Sequence, residues 1–174
     1  MFYNLRKTIH LFFLKRKLKK VNIVHQARTY GQTKKIGVLF DASTSSNIEV
    51  TTKFARQLLH EGKTVELLGY LDNDKESKSI PYDYMTRKNI SILLKPGHPK
   101  VKNFITKNFD ILINLFTDEN IPFEYISSLS NASYRIGRYQ EQKEYCFDLM
   151  ISYDQTKELK GYVDQVLHFM KAIR

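Results

Sequence analysis

Tryptophan is absent, and cysteine, proline and glycine are scarce: one Cys, four Pro and seven Gly in 174 residues. A lone cysteine, Cys146, excludes an internal disulfide framework and a cysteine-based metal site; in an apolar segment it reads as a small buried hydrophobe. A reducing, cytoplasmic compartment fits. So little Gly and Pro, with no low-complexity tract and no internal repeat, excludes a disordered chain or a repeat array. Long apolar runs are also missing. The longest near the N-terminus, Leu11 to Leu14, is broken at once by Lys15, far short of a membrane span and without a secretory cleavage site, so the chain is expected to stay where it is made.

Acidic residues are absent from the first forty positions, where Arg6, Lys7, Lys15, Arg16, Lys17, Lys19, Lys20, Arg28, Lys34 and Lys35 supply ten positive charges. From Ile36 onward 18 basic residues balance 18 acidic ones, so the net charge of +10 resides in the first 35 residues. The expected organisation is a basic N-terminal arm over residues 1–33, a helix followed by an extended linker, and a single neutral α/β domain over 34–174.

Within the body, short apolar runs alternate with helical periodicity. Lys35 to Asp41 has the pattern of a strand buried on both faces. Ala42 to Asn47 caps a helix whose apolar stripe is Val50, Phe54, Ala55, Leu58 and Leu59, stopped by Gly62. Further strands are predicted at Thr64 to Leu71, Ile90 to Leu94, Asp110 to Phe116, Tyr134 to Gly137 and Phe147 to Ile151. Pro99 opens a short helix through Val101, Phe104 and Ile105, and a second follows Asp118 through Pro122, Phe123, Ile126 and Leu129 to Asn131. A closing helix is marked by Leu159, Val163, Val166, Leu167, Met170 and Ile173, with Asp154 to Thr156 as cap candidates. This order implies a doubly wound, mostly parallel sheet with helices on both faces, preceded by the basic helical arm.

In open α/β sheets ligands sit beyond the carboxyl ends of the strands, which directs attention to the loop Asp41 to Asn47. It has neither the glycines of a dinucleotide-binding turn nor a P-loop ending. Ser43, Thr44, Ser45 and Ser46 are read as helix-capping residues, with phosphate binding as the alternative. Asp41, Asp110, Asp118 and Asp148 fall at strand edges, where turn and cap roles predominate. His10, His25, His60, His98 and His168 have no metal-site spacing. No cofactor, no metal and no enzyme activity are expected. A deep pocket at that strand edge, lined by convergent polar side chains, would favour a transferase-like or phosphate-ester site instead.

The arm interleaves Leu5, Ile9, Leu11, Phe12, Phe13, Leu14 and Leu18 with cations, and Leu11, Leu14, Leu18 and Val21 form one helical seam. The expected function is non-enzymatic binding of structured RNA, as a ribosome component or ribosome-associated factor beside neighbouring ribosomal proteins. The ten arm cations would contact phosphates, with Tyr30 and His25 as stacking residues. With about six cations engaged, log affinity falls against log salt with a slope of about 5. The alternatives are a basic helix docked on its own domain, and a peripheral protein at the anionic inner face of a membrane, inserting Phe2, Phe12 and Phe13.

The runs Lys34 to Asp41, Glu66 to Asp72, Asp110 to Leu115 and Tyr125 to Gly137 resemble an uncharacterised family of short basic bacterial proteins. That resemblance implies a Rossmann-like body behind a Lys/Arg-rich start. Asp110 to Gly137, with its Ala132, Arg135 and Gly137 turn, is also similar to the acceptor-side half of lipopolysaccharide heptosyltransferases.

Overall fold

The computed structural model describes residues 2–20, 26–72, 82–154 and 158–173. Six strands, β1 (Lys35–Asp41), β2 (Thr64–Leu71), β3 (Asp83–Thr86), β4 (Ile111–Asn114), β5 (Tyr134–Arg138) and β6 (Leu149–Ile151), form one sheet in the order β3-β2-β1-β4-β5-β6. Every pairing is parallel. The helices are α1 (Phe2–Leu18), α2 (Ser45–His60), α3 (Pro99–Thr106), α4 (Ile121–Leu129) and α5 (Leu159–Ala172).

The alternation of side chains along a strand divides the core in two. Ile36, Val38 and Phe40 of β1 turn to one face with Phe54 and Leu58 of α2 and Tyr162, Val163, Val166 and Met170 of α5. Leu39 and Leu112 turn to the other with Val101 and Phe104 of α3 and Phe123 and Ile126 of α4. The α1 helix forms a third layer over α4: Leu14 is buried against Tyr125 and Leu129, and Leu18 joins the same cluster. Of the seam predicted for this helix, Leu14 is fully covered and Leu11 and Leu18 are half-buried, while Val21 lies outside the described residues. His10 adds a buried position that the apolar pattern did not include.

Three expectations are corrected. The third strand is Asp83–Thr86 rather than Ile90 to Leu94, and its partner register runs from Leu68↔Asp83 to Leu71↔Thr86. The apolar run 90–94 instead makes one antiparallel bridge, Ile90↔Pro96, and a tight turn closed by Leu94 N–H donating to Ser91 O at 2.9 Å. The turn receives α1 through its backbone: Arg6 Nε donates to Ile92 O at 2.5 Å, and His10 Nδ1 lies 2.8 Å from Leu93 O. The α5 helix starts later than its proposed caps, with Glu158 at the N-cap; Asp154 precedes it, and Thr156 lies outside the described residues. The β4 strand is shorter than predicted because Asn114 Oδ1 takes the N–H of Phe116 at 3.0 Å, ending the ladder in a turn.

Candidate nucleic-acid interface and an acidic cleft

The strand order reverses direction between β1 and β4, and a cleft of about 410 Å³ opens there at the carboxyl edge of the sheet. Asp41, Asp72, Asp118, Glu119 and Glu158 line it with Asn47, Tyr70, Thr117 and Asn120, and among the described residues no lysine, arginine or histidine is in its lining. A pocket with converging polar groups therefore exists where the sequence directed attention, but its chemistry is not that of an anion site. The serine loop is committed internally. Asp41 Oδ1 accepts the Ser43 N–H at 2.8 Å, Thr44 Oγ1 caps α2 by accepting the Asn47 N–H at 3.2 Å, and Ser43 Oγ accepts the Asp72 N–H at 2.9 Å. Burial, then the neighbouring Asp72 carboxylate, pushes the Tyr70 hydroxyl up to about 12, so it serves as a proton donor and hydrogen bonds to Asp72 Oδ1 at 3.1 Å. Phosphate would meet the carboxylates of Asp41, Asp118 and Glu158 here, with Asp72 already paired to Arg87 and Glu119 to Lys7 and Lys143. Among the described residues, no group of three or more His, Cys, Asp or Glu is placed to hold a metal ion.

The other expected acids are structural. Asp110 Oδ2 accepts the N–H groups of Lys34 and Lys35 at 2.8 and 2.9 Å, and its Oδ1 lies 2.9 Å from Arg28 Nη1, tying the linker to the start of β4. Asp148 accepts Arg135 Nη2 at 2.8 Å and Nε at 3.0 Å, while Arg135 Nη1 donates to Tyr145 O at 3.0 Å. Arg135 is 5% exposed and lies within β5, where its pairing with Asp148 holds β5 to the start of β6. Arg135 and Gly137, expected in a turn by the heptosyltransferase resemblance, are both strand residues of β5, and at Gly137 a Cβ would stand 2.5 Å from the Phe147 ring.

The cations of the N-terminal segment divide into two sets. Lys7 Nζ pairs with Glu119 at 2.6 Å, Arg28 pairs with Asp110, Arg6 holds Ile92 O, and Lys17 Nζ donates to Tyr125 OH at 3.0 Å. Tyr30 is turned toward α2: its hydroxyl donates to Glu61 at 2.5 Å and Lys63 Nζ lies 4.3 Å from its ring centroid. His25 lies outside the described residues. Lys15, Arg16, Lys19 and Lys20 are exposed, with no carboxylate partner among the described residues. Leu18 packs in one cluster with Ile105 and Leu129, at the C-terminal ends of α3 and α4, which brings these four cations toward the amino edge of the sheet where exposed Lys34 and Lys35 begin β1. These exposed cations stand toward the edge that also holds Asp110 and Asp148, and the acidic cleft opens at the other edge.

Two adjoining hollows beside α1, one facing α3 and the other the turn before it, extend the basic surface onto the body. One, of about 390 Å³, is lined by Lys17, Lys95, His98, Lys102, Thr106 and Tyr125 among others; the second, of about 360 Å³, by His10, Phe13, Leu14, Lys17, Leu93, Lys95 and Tyr125. Among the described residues, neither has a carboxylate in its lining. Lys95, His98 and Lys102 were absent from the sequence expectation, yet a signal was there. From Tyr84 to Phe109 the chain has six Lys or Arg and no Asp or Glu, a window hidden by the neutral total of the body.

The chain belongs to a family of unknown function, DUF6913, whose model matches residues 6–173 and so takes in most of α1 together with the body. Among solved structures it is similar to an exopolyphosphatase-related protein from Bacteroides fragilis, with a TM-score of 0.51 and 14% identity over 81% of this chain and 41% of that one. At that identity the likeness is one of fold, and the chain spans less than half the length of that protein. No curated protein sequence matches the chain.

Proposed function

We propose that this protein binds structured RNA without catalysing a reaction, most naturally in the setting of the ribosome, with α1 as its main contact and the body as a packing module for neighbouring proteins. The observation that carries this reading is the segregation of charge. Lys15 and Arg16 of α1, and Lys19 and Lys20 in the turn that follows it, stand exposed without a carboxylate partner among the described residues, and five carboxylates line a cleft at the opposite edge of the sheet. A docked helix offers phosphates a preformed row of cations, so less ordering entropy opposes binding than for a free tail. The acidic cleft turns the other edge away from a polyanion, which gives the complex one orientation.

The outward side of α1 supports a second reading. Phe2, Leu5, Phe12 and Phe13 are 84%, 58%, 61% and 54% exposed, beside the same cations, as suits a helix lying on an anionic bilayer.

The test is sedimentation of the intact protein and a Lys15→Glu/Arg16→Glu/Lys19→Glu/Lys20→Glu variant with ribosomes through sucrose gradients at low salt. Charge reversal is preferable to removing residues 1–33, because deletion would uncover Tyr125 and Leu129 and leave Glu119 without Lys7. Co-migration of the intact protein and its loss in the variant support the RNA reading. No co-migration at low salt refutes the ribosomal setting, and flotation of the protein with anionic vesicles in the absence of RNA favours the bilayer.

A further inference from the structure

Lys17 and Lys95 line two adjoining hollows of different character. Toward α3 the walls are Lys95, His98 and Lys102; toward the N-terminal half of α1 they are Phe13, Leu14, Leu93 and His10. Tyr125 closes the floor of both, and Lys17 is held at the junction, its ammonium 3.0 Å from the Tyr125 hydroxyl and 5.3 Å from the ring centroid. The apolar walls are open above the floor, with Phe13 54% and Leu93 41% exposed. Lys95 and Lys102 are exposed and lack a carboxylate partner among the described residues, whereas Lys100 is neutralised by Asp83 at 2.8 Å.

An apolar slot with an aromatic wall, opening directly onto a cationic hollow without carboxylates, matches the two halves of one nucleotide. Resting on the RNA reading above, we propose that the groove between α1 and α3 binds a single-stranded segment of the RNA, seating an unpaired base between Phe13 and Leu93 and its phosphates on Lys95, Lys102 and Lys17. Hollows of about 360 and 390 Å³ admit a base and its phosphates rather than a helix, and a base engaged in a duplex is stacked on both faces and unable to enter. The cations of α1 then supply sequence-independent attraction along the RNA, and the groove selects a loop, bulge or end within it. The groove exists only while α1 is docked, since His10, Phe13, Leu14 and Lys17 are contributed by that helix.

The experiment is fluorescence anisotropy of the full chain with three probes: a fluorescein-labelled ten-nucleotide uridine strand, a blunt RNA duplex of equal charge, and vesicles of phosphatidylglycerol and phosphatidylcholine. The uridine strand is expected to bind more tightly than the duplex, with Phe13→Ala lowering its affinity about tenfold and leaving the duplex unchanged. Lys95→Glu/Lys102→Glu should weaken the single strand more than the duplex, and neither change touches the residues that dock α1 through Leu14. Equal binding of strand and duplex, indifferent to Phe13→Ala, overturns the groove proposal and leaves the RNA reading intact. Absence of binding to either RNA at low salt overturns both, and a Phe13→Ala effect confined to vesicles assigns the apolar wall to lipid and overturns the nucleotide site.

Discussion

Lys143 and Glu124 form an ion pair closed off from water, with Nζ 2.5 Å from Oε2 and side chains 9% and 5% exposed. The pair joins the first turns of α4 to the connection between β5 and β6. It continues outward, because Lys143 also lies 3.2 Å from Glu119, which holds Lys7 of α1. Burial opposes the charge on Lys143, and the carboxylates of Glu124 and Glu119 outweigh it, raising the Lys143 pKa above the ordinary value. The docking of α1 thus rests on charges alternating in sign from the surface inward.

Removing one member should cost far more than removing both. Lys143→Ala leaves the buried Glu124 carboxylate uncompensated and is expected to destabilise the fold by about 3–5 kcal/mol, whereas Lys143→Met with Glu124→Leu should be close to neutral. Urea denaturation of the two variants and the parent measures this. Equal losses in both would show that packing, not charge, is what the pair contributes.

The α1 helix should loosen in mild acid. Burial lowers the pKa of His10 from its ordinary 6.5, against opposing effects of the Leu93 carbonyl and Glu124, with Lys143 adding to the lowering. Its ring packs edge-on to Tyr125, with centroids 5.7 Å apart. The undocked helix carries a histidine of ordinary affinity for protons, so between the two pKa values the undocked form binds more of them. Docking stability is therefore complete above about pH 7 and falls as the pH drops through about 6.5. Amide protection factors of α1, corrected for intrinsic exchange, should decline over that range, and His10→Phe should flatten the profile. A parent helix equally protected at pH 5 and pH 8 would contradict this.

Asp110 anchors the linker. Asp110→Ala frees the N–H groups of Lys34 and Lys35 and the Arg28 guanidinium together, with an expected loss of about 1–3 kcal/mol. Limited trypsin digestion should then cut after Arg28 earlier than in the parent. Unchanged cleavage would show that the linker is held elsewhere, for example by the Gln26 N–H on Ser133 O at 2.8 Å.

The strands of the sheet interior were legible because burial on both faces leaves an unbroken apolar run, as in Lys35–Asp41 and Thr64–Leu71. The edge strand β3 was not, since Asp83, Tyr84, Met85 and Thr86 pair on one side only and keep polar residues. The more apolar Ile90 to Leu94 took its place in the reading while serving as a landing turn for α1. The basic character of the N-terminal segment was plain from charge counting. Its distribution between internal pairs and free cations was not, because Lys7 finds Glu119 across 112 positions and Lys17 finds Tyr125 across 108. The acidic cleft gathers Asp41 from the end of β1, Asp72 and Asp118 from the loops after β2 and β4, and Glu158 from the N-cap of α5, a convergence set by the sheet order.

The central claim, that free cations on α1 and the α3 groove bind RNA phosphates, is tested most directly by the salt dependence of affinity for an rRNA fragment. With six phosphates engaged, log affinity should fall against log salt with a slope of about 4 for single strands and about 5 for duplex regions. Reversing Lys15, Arg16, Lys19 and Lys20 to Glu should reduce that slope by about 3 or more. A slope near zero for the parent protein, or one unchanged by the four reversals, would contradict the account.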